Sequence, residues 1–264
     1  MPRVAFDFEF DGRGFCGSQA QHELRTVQGE LTFALRRIIG TPVVVRPASR
    51  LDQGVSAENF PADALLPHLP GAGNGLRNLG LAMASELPRD ITVRRVALVD
   101  EGWNAQYAAR EKTYRYTITV RGTKPVLEPR CWWVRRLDHP ERLQAMADQL
   151  LGSRDLRLFA NLRHDGSDNE VRERHILQAQ WLIPGQMQGR DLVFRIRGTG
   201  FLYKQIRGFV GAMIHVAQNH REAAEFTAIV NGDATIRRLG NIAPPDGLVL
   251  EQVTYDPEPD WLTL

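Results

Sequence analysis

From Val4 to Phe10 every second residue is apolar, with Val4, Phe6, Phe8 and Phe10 on one side and Ala5, Asp7 and Glu9 on the other. This two-residue repeat predicts a first strand with one buried face, and the turn signal Asp11-Gly12 ends it. After a glycine-rich loop the period lengthens. Val27, Leu31, Ala34, Leu35, Ile38 and Ile39 follow helical spacing, Thr26 stands ready as an N-cap, and Gly40 and Pro42 close the helix. A short apolar run, Val43 to Val45, reads as a strand that leads into SRLDQGVSAE. A Gly- and Pro-rich stretch from Pro61 to Gly75 follows, then a helix near Leu76 to Ala84 and a strand from Ile91 to Val99.

Around Trp103 to Ala109 the pattern begins again. In TYRYTITV, Tyr114, Tyr116, Ile118 and Val120 share one face and Thr113, Arg115, Thr117 and Thr119 the other, the clearest strand in the chain. A helix from Pro140 to Leu151 has proline in its first turn and Gly152 after its end. The polar run 163–173 reads as a loop. Strands are expected at His175 to Ile183 and Asp191 to Arg197, joined by PGQMQG, before a helix from about Phe201 to Ala217. Strand, helix and strand thus recur in two halves, 1–105 and 106–264, an α+β arrangement on a mainly antiparallel sheet.

Composition narrows the class without choosing a function. With 264 residues, 43% hydrophobic and 24% charged, the chain can bury a core without disulfides or metals. No apolar run approaches the roughly 18 residues of a membrane span, and the acid-punctuated start reads as a strand rather than a targeting segment, so the expected compartment is the cytoplasm. Cys16 and Cys131 stand far apart with no paired-ligand spacing, and no metal is expected. The formal net charge is only +2, yet 30 of the 33 basic residues are arginines, the side chain whose planar fork grips phosphates and carboxylates. High arginine usage also follows from a GC-rich genome, so it does not decide.

Four residues carry more chemistry. Arg207 lies beside the broad apolar stripe of the last helix, FLYKQIRGFVGAMIHVA, and a guanidinium there needs an anion because it cannot shed its proton. Asp52 offers a carboxylate. Asp-x-Gly is most often only a turn, but Leu51 and Val55 anchor this one toward the core. Tyr114 and Tyr116 are ordinary sheet aromatics or a stacking surface for an unstacked base.

Taken in order, DGRGFCGSQAQ, SRLDQGVSA, EKTYRYT and GTGFLYKQIRGFVG resemble the four motifs of the tRNA pseudouridine synthase A family, from about Val4 to beyond Gly211. The resemblance implies a pseudouridine synthase fold, with two ferredoxin-like halves forming a mainly antiparallel central sheet flanked by helices. It matches Asp52 to the catalytic aspartate, Tyr114 to the tyrosine that packs on the target uracil, and Arg207 to the arginine that pairs with that aspartate. It likewise implies RNA contacts from Arg50, Arg13, Gln19 and Phe201. No cofactor or metal is implied. The partners would be tRNA, held at its anticodon arm, and a second copy of the chain, with no membrane. The carboxylate of such an enzyme attacks the sugar or takes a sugar proton, and the residues do not choose. Leu51, Gln53, Ser56 and Ser18 depart from the commonest family pattern, which leaves two alternatives: another RNA target, or a catalytically silent RNA-binding or folding factor.

Overall fold

The computed structural model describes residues 1–71, 73–127, 130–161, 174–183, 191–236 and 240–264. The expected polar loop 163–173 and the PGQMQG connection fall outside the described residues. In chain order the elements are β1 (Arg3–Phe10), α1 (Val27–Ile39), β2 (Val45–Pro47), β3 (Ser56–Leu65), α2 (Gly75–Glu86), β4 (Ile91–Val99), β5 (Ala109–Val120) and β6 (Trp132–Val134). They continue with α3 (Arg142–Asp148), β7 (Gly152–Ser153), β8 (His175–Leu182), β9 (Asp191–Gly198), α4 (Gln205–Ala217), α5 (Ala223–Val230), β10 (Leu248–Tyr255) and β11 (Leu262–Thr263). Two compact units result, one of Met1–Lys112 with Val249–Leu264 and one of Thr113–Leu248.

In the first unit the strands run β11, β4, β1, β3, β10, with β2 also beside β3. All these pairings are antiparallel except β10 with β3, which is parallel. The Thr26 hydroxyl accepts from Gly29 N at 3.3 Å and Gly40 closes α1 in the left-handed region, as the sequence predicts. Phe6, Phe8, Phe60, Leu31, Leu35, Leu79 and Met83 are fully buried, each contributing about 1.5–3 kcal/mol of apolar transfer energy.

The opposite face of β1 is covered as well, contrary to a simple buried and solvated alternation. Asp7 is fully buried, bonded by Arg95 Nε at 2.9 Å and by Asn59 Nδ2 at 2.6 Å. Burial pushes its carboxyl up while Arg95 opposes that shift. Asp63 is buried in the same way, between Arg3 at 2.6 Å and Arg46 at 2.5 Å.

The second unit arranges β5, β9, β8 and β7 side by side, with β6 parallel to β5. Its β8–β9 and β7–β8 pairs are antiparallel. Tyr116, Phe194 and Phe209 fill its core together with Phe226, and Phe159 sits 5.1 Å from the Phe209 ring and 5.3 Å from that of Phe226. Both units are therefore mixed α+β with mainly antiparallel pairing.

The structure moves or adds several elements. Ser56–Leu65 is a ten-residue strand where the sequence shows a Pro-rich stretch beginning at Pro61. The run expected at Val43 to Val45 pairs two residues later, as β2. The last helix starts at Gln205 rather than Phe201, because Lys204 takes a left-handed φ of 58° and the Gln205 side chain accepts from Leu202 N at 3.0 Å. Among the described residues, no helix is long and apolar enough to cross a membrane.

Candidate active site

Asp52 sits on a turn of the first unit in which Val55 N bonds Asp52 O at 3.1 Å. The turn is fastened along its length by hydrogen bonds from main chain and side chains. Upstream, Ala48 N donates to Pro61 O at 2.8 Å and Lys112 Nζ donates to Ala48 O at 2.9 Å. At its centre Ser18 and Leu51 exchange two bonds: Ser18 N to Leu51 O at 3.0 Å, and Leu51 N to Ser18 Oγ at 2.7 Å. Downstream, Gly12 N donates to Ser56 Oγ at 3.0 Å.

Two glycines allow this closeness. A Cβ on Gly12 would stand 1.9 Å from Val55 O, and Gly17, at φ +92°, passes directly over the main chain from Leu51 to Gln53. The side chains follow from that anchoring. Leu51 and Val55 point into the core at 8% and 2% exposure, whereas Arg50 and Gln53 are exposed and Asp52 is half-buried. The apolar flanks thus hold the backbone while the carboxylate stays reachable.

The loop that clasps Asp52 is itself braced. Arg25 lies 4.1 Å above the Phe15 ring, forks onto Asp90 at 2.8 and 2.9 Å, and bonds Glu30 at 2.8 Å. The guanidinium beside it draws the Asp90 carboxyl below its usual range. Gln28 of α1 accepts from Ala20 N at 2.9 Å and donates to Val45 O at 2.7 Å, joining loop, helix and β2. Arg13 grips Asp11 through two nitrogens, and Gln19 is exposed.

Tyr114, Phe201 and Arg207 belong to the second unit. Tyr114 is buried on β5 and meets the edge of Phe201 at 5.4 Å and 87°. Phe201 lies in the bent lead-in to α4, so this aromatic pair depends on the chain not being helical there. Arg207 is half-buried, and its Nε donates to Ala243 O at 2.7 Å while Ala243 N donates back to Arg207 O at 3.1 Å. The anion that sequence reasoning asked for is therefore not its whole environment, since a carbonyl takes one of its donors. Beneath it, burial raises the Tyr116 hydroxyl well above the usual tyrosine range, with Arg207 opposing, and the hydroxyl donates to Pro244 O at 2.7 Å.

Sequence reasoning placed Gly12, Ser18, Ser56 and Lys112 in the family-like motifs, and Ser18 and Ser56 among the departures, but gave none of them a part in holding the Asp52 turn. Among the described residues, no three His, Cys, Asp or Glu side chains gather as metal ligands would. At the Asp52 turn the first unit offers an accessible carboxylate on a backbone fastened by hydrogen bonds.

A family model described as tRNA pseudouridine synthase matches residues 146–256. The chain is 31% identical over 259 residues to the tRNA pseudouridine synthase A of Lactococcus lactis subsp. cremoris, covering 97% of this chain and 98% of that protein. It is 32% identical over 270 residues to that of a Synechococcus species, covering 98% and 85%. Against that of Streptococcus pneumoniae it is 31% identical over 261 residues, covering 97% and 100%. With likeness at this level running through nearly the whole sequence, Asp52 turn and aromatic strand included, the chain belongs to the tRNA pseudouridine synthase A family.

Proposed function

We propose that this protein isomerises uridine to pseudouridine in the anticodon arm of tRNA, with Asp52 as the working carboxylate. The observation that carries this reading is the turn itself: a half-exposed carboxylate between buried Leu51 and Val55, on a backbone fastened upstream, at its centre and downstream. A carboxylate that must act at one sugar carbon needs such fixed placement.

The reaction breaks the N1–C1′ bond, turns the base, joins C5 to C1′, and transfers the C5 proton away as N1 gains one. Substrate and product are isomers, so no redox partner or energy source is consumed. One carboxylate is enough, because the base stays bound and no leaving group has to be protonated out of the site as in ordinary glycosidases. Tyr114, already packed on Phe201, offers a ring face to the uracil, and Arg207 supplies a fixed cation. Arg50, Arg13 and Gln19 are the RNA contacts, with Arg50 two residues before Asp52 in sequence and open to solvent. The protein acts in the cytoplasm as a homodimer.

The deciding experiment incubates unmodified tRNA with the wild type and with Asp52→Asn and maps pseudouridine at each uridine. Modification confined to the anticodon arm, and lost in Asp52→Asn, is the expected result. Modification of another RNA alone would replace the substrate, and full activity of Asp52→Asn would remove the mechanism. A protein that binds tRNA but modifies no RNA would be a folding factor instead.

A further inference from the structure

We propose that Ser18 is the positioning residue that fixes where the Asp52 carboxylate points. This rests on the reading of Asp52 as the working group. Ser18 is 1% exposed and bonds the Leu51 main chain in both directions: its N–H donates to Leu51 O, and its hydroxyl accepts from Leu51 N. The same hydroxyl lies 3.4 Å from Ser49 O, to which it donates. Residue 51 is thereby held at both its peptide groups, and on either side of it Arg50 is exposed and Asp52 half-buried.

The clasp is tied to something stiff. Gln28 N donates to Ser18 O at 2.9 Å and Val27 N donates to Gly17 O at 3.3 Å, so residues 17 and 18 continue directly into the first turn of the thirteen-residue α1. Asp52 is therefore referenced to a helix through Ser18, by its hydroxyl and its main-chain N–H together. Without that hydroxyl the Leu51 N–H is left buried without an acceptor, a condition that drives the peptide to rotate toward water. Rotation about the peptides flanking residue 51 swings the Asp52 side chain, while the Ser18 N–H to Leu51 O bond still keeps the loop attached. Leu51 completes the device: its apolar side chain fills the core and leaves its main chain free to bond Ser18 alone.

The test compares Ser18→Ala with Tyr255→Phe, which removes one buried hydrogen bond elsewhere in the same unit, from the tyrosine hydroxyl to Ala105 O at 3.0 Å. Steady-state and single-turnover pseudouridine formation on unmodified tRNA are measured along with thermal unfolding. Ser18→Ala is expected to lower kcat about tenfold or more with KM for tRNA within about twofold, because Arg50 is long enough to keep its hold on the RNA. Tyr255→Phe is expected to lose stability with kcat unchanged. Ser18→Cys, which keeps the volume but accepts weakly, should fall between wild type and alanine, and it decides by the same comparison if Ser18→Ala does not fold. Equal kcat in the Ser18 variants and in Tyr255→Phe overturns the positioning role. Should Asp52→Asn keep full activity, it is the assignment of Asp52 that has failed, and the two failures are told apart by that variant alone.

Discussion

Replacing Gly12 with alanine displaces the Asp52 turn without altering a side chain in it. The new Cβ would lie 1.9 Å from Val55 O and 2.3 Å from Val55 C, where ordinary contact begins at 3.4 Å. The two backbones must separate by about 1.5 Å to relieve that overlap. Val55 cannot retreat alone, because its side chain is 2% exposed and its N–H is bonded to Asp52 O. A misplacement of about 1 Å costs roughly a hundredfold in rate, or about 2.7 kcal/mol of barrier. Overpacking takes a further ~1–3 kcal/mol from folding stability, so the variant folds but melts lower. The assay is single-turnover pseudouridine formation with enzyme in excess over unmodified tRNA. Gly102→Ala serves as the control, since a Cβ there meets nothing within 4 Å. A Gly12→Ala rate within about twofold of wild type would refute the reasoning, because Val55 would then have moved without carrying the carboxylate.

Other consequences are open to simpler measurements. Arg25→Met should lower stability by only about 1 kcal/mol, since the Arg25–Asp90 pair is part-exposed and screened, and the loss should shrink in high salt. The pH dependence of that pair has a definite sign. Arg25 holds the Asp90 carboxyl below its ordinary value, so its contribution is complete above about pH 4 and is lost as pH falls through the lower folded value. Arg25→Met should therefore lose less stability than wild type on acid titration below pH 4, as followed by circular dichroism. Thr26→Ala removes the cap on α1 and should cost about 1 kcal/mol in urea unfolding. Arg50→Gln should reduce the slope of log affinity against log salt by about one for each phosphate that Arg50 neutralises, measured by tRNA filter binding; an unchanged slope would exclude Arg50 from the phosphates.

Much of the first unit could be read locally. α1 begins at Val27 and ends at Ile39 because its cap, apolar spacing and terminal glycine all agree, and β4 shows the same consistency. β3 could not be read because what stabilises it is non-local. Pro61, Asn59 and Asp63 argue against a buried strand until Asp63 meets Arg3 and Arg46, and Asn59 meets Asp7 and Val253 N. The bent lead-in before α4 was hidden in the same way, since apolar spacing from Phe201 onward fits a helix and the left-handed Lys204 leaves no mark in composition. Asp52 was legible as an anchored carboxylate. The part of Ser18 in that anchoring was not, because it lies 33 residues away from Leu51 and stood out only as a departure from the family pattern until the two are brought together.

The parallel pairing of Val249 and Leu250 with Ser56 and Ala57 has a consequence for the order of events on the ribosome. The strand leaving the Asp52 turn receives this partner only after residues 249 and 250 have been made, and Thr263 covers β4 later still. Until then the first unit keeps open strand edges at β3 and β4. A nascent chain stalled before Leu248 therefore lacks the strand that flanks Ser56 and Ala57, and the Asp52 turn stands without that downstream support.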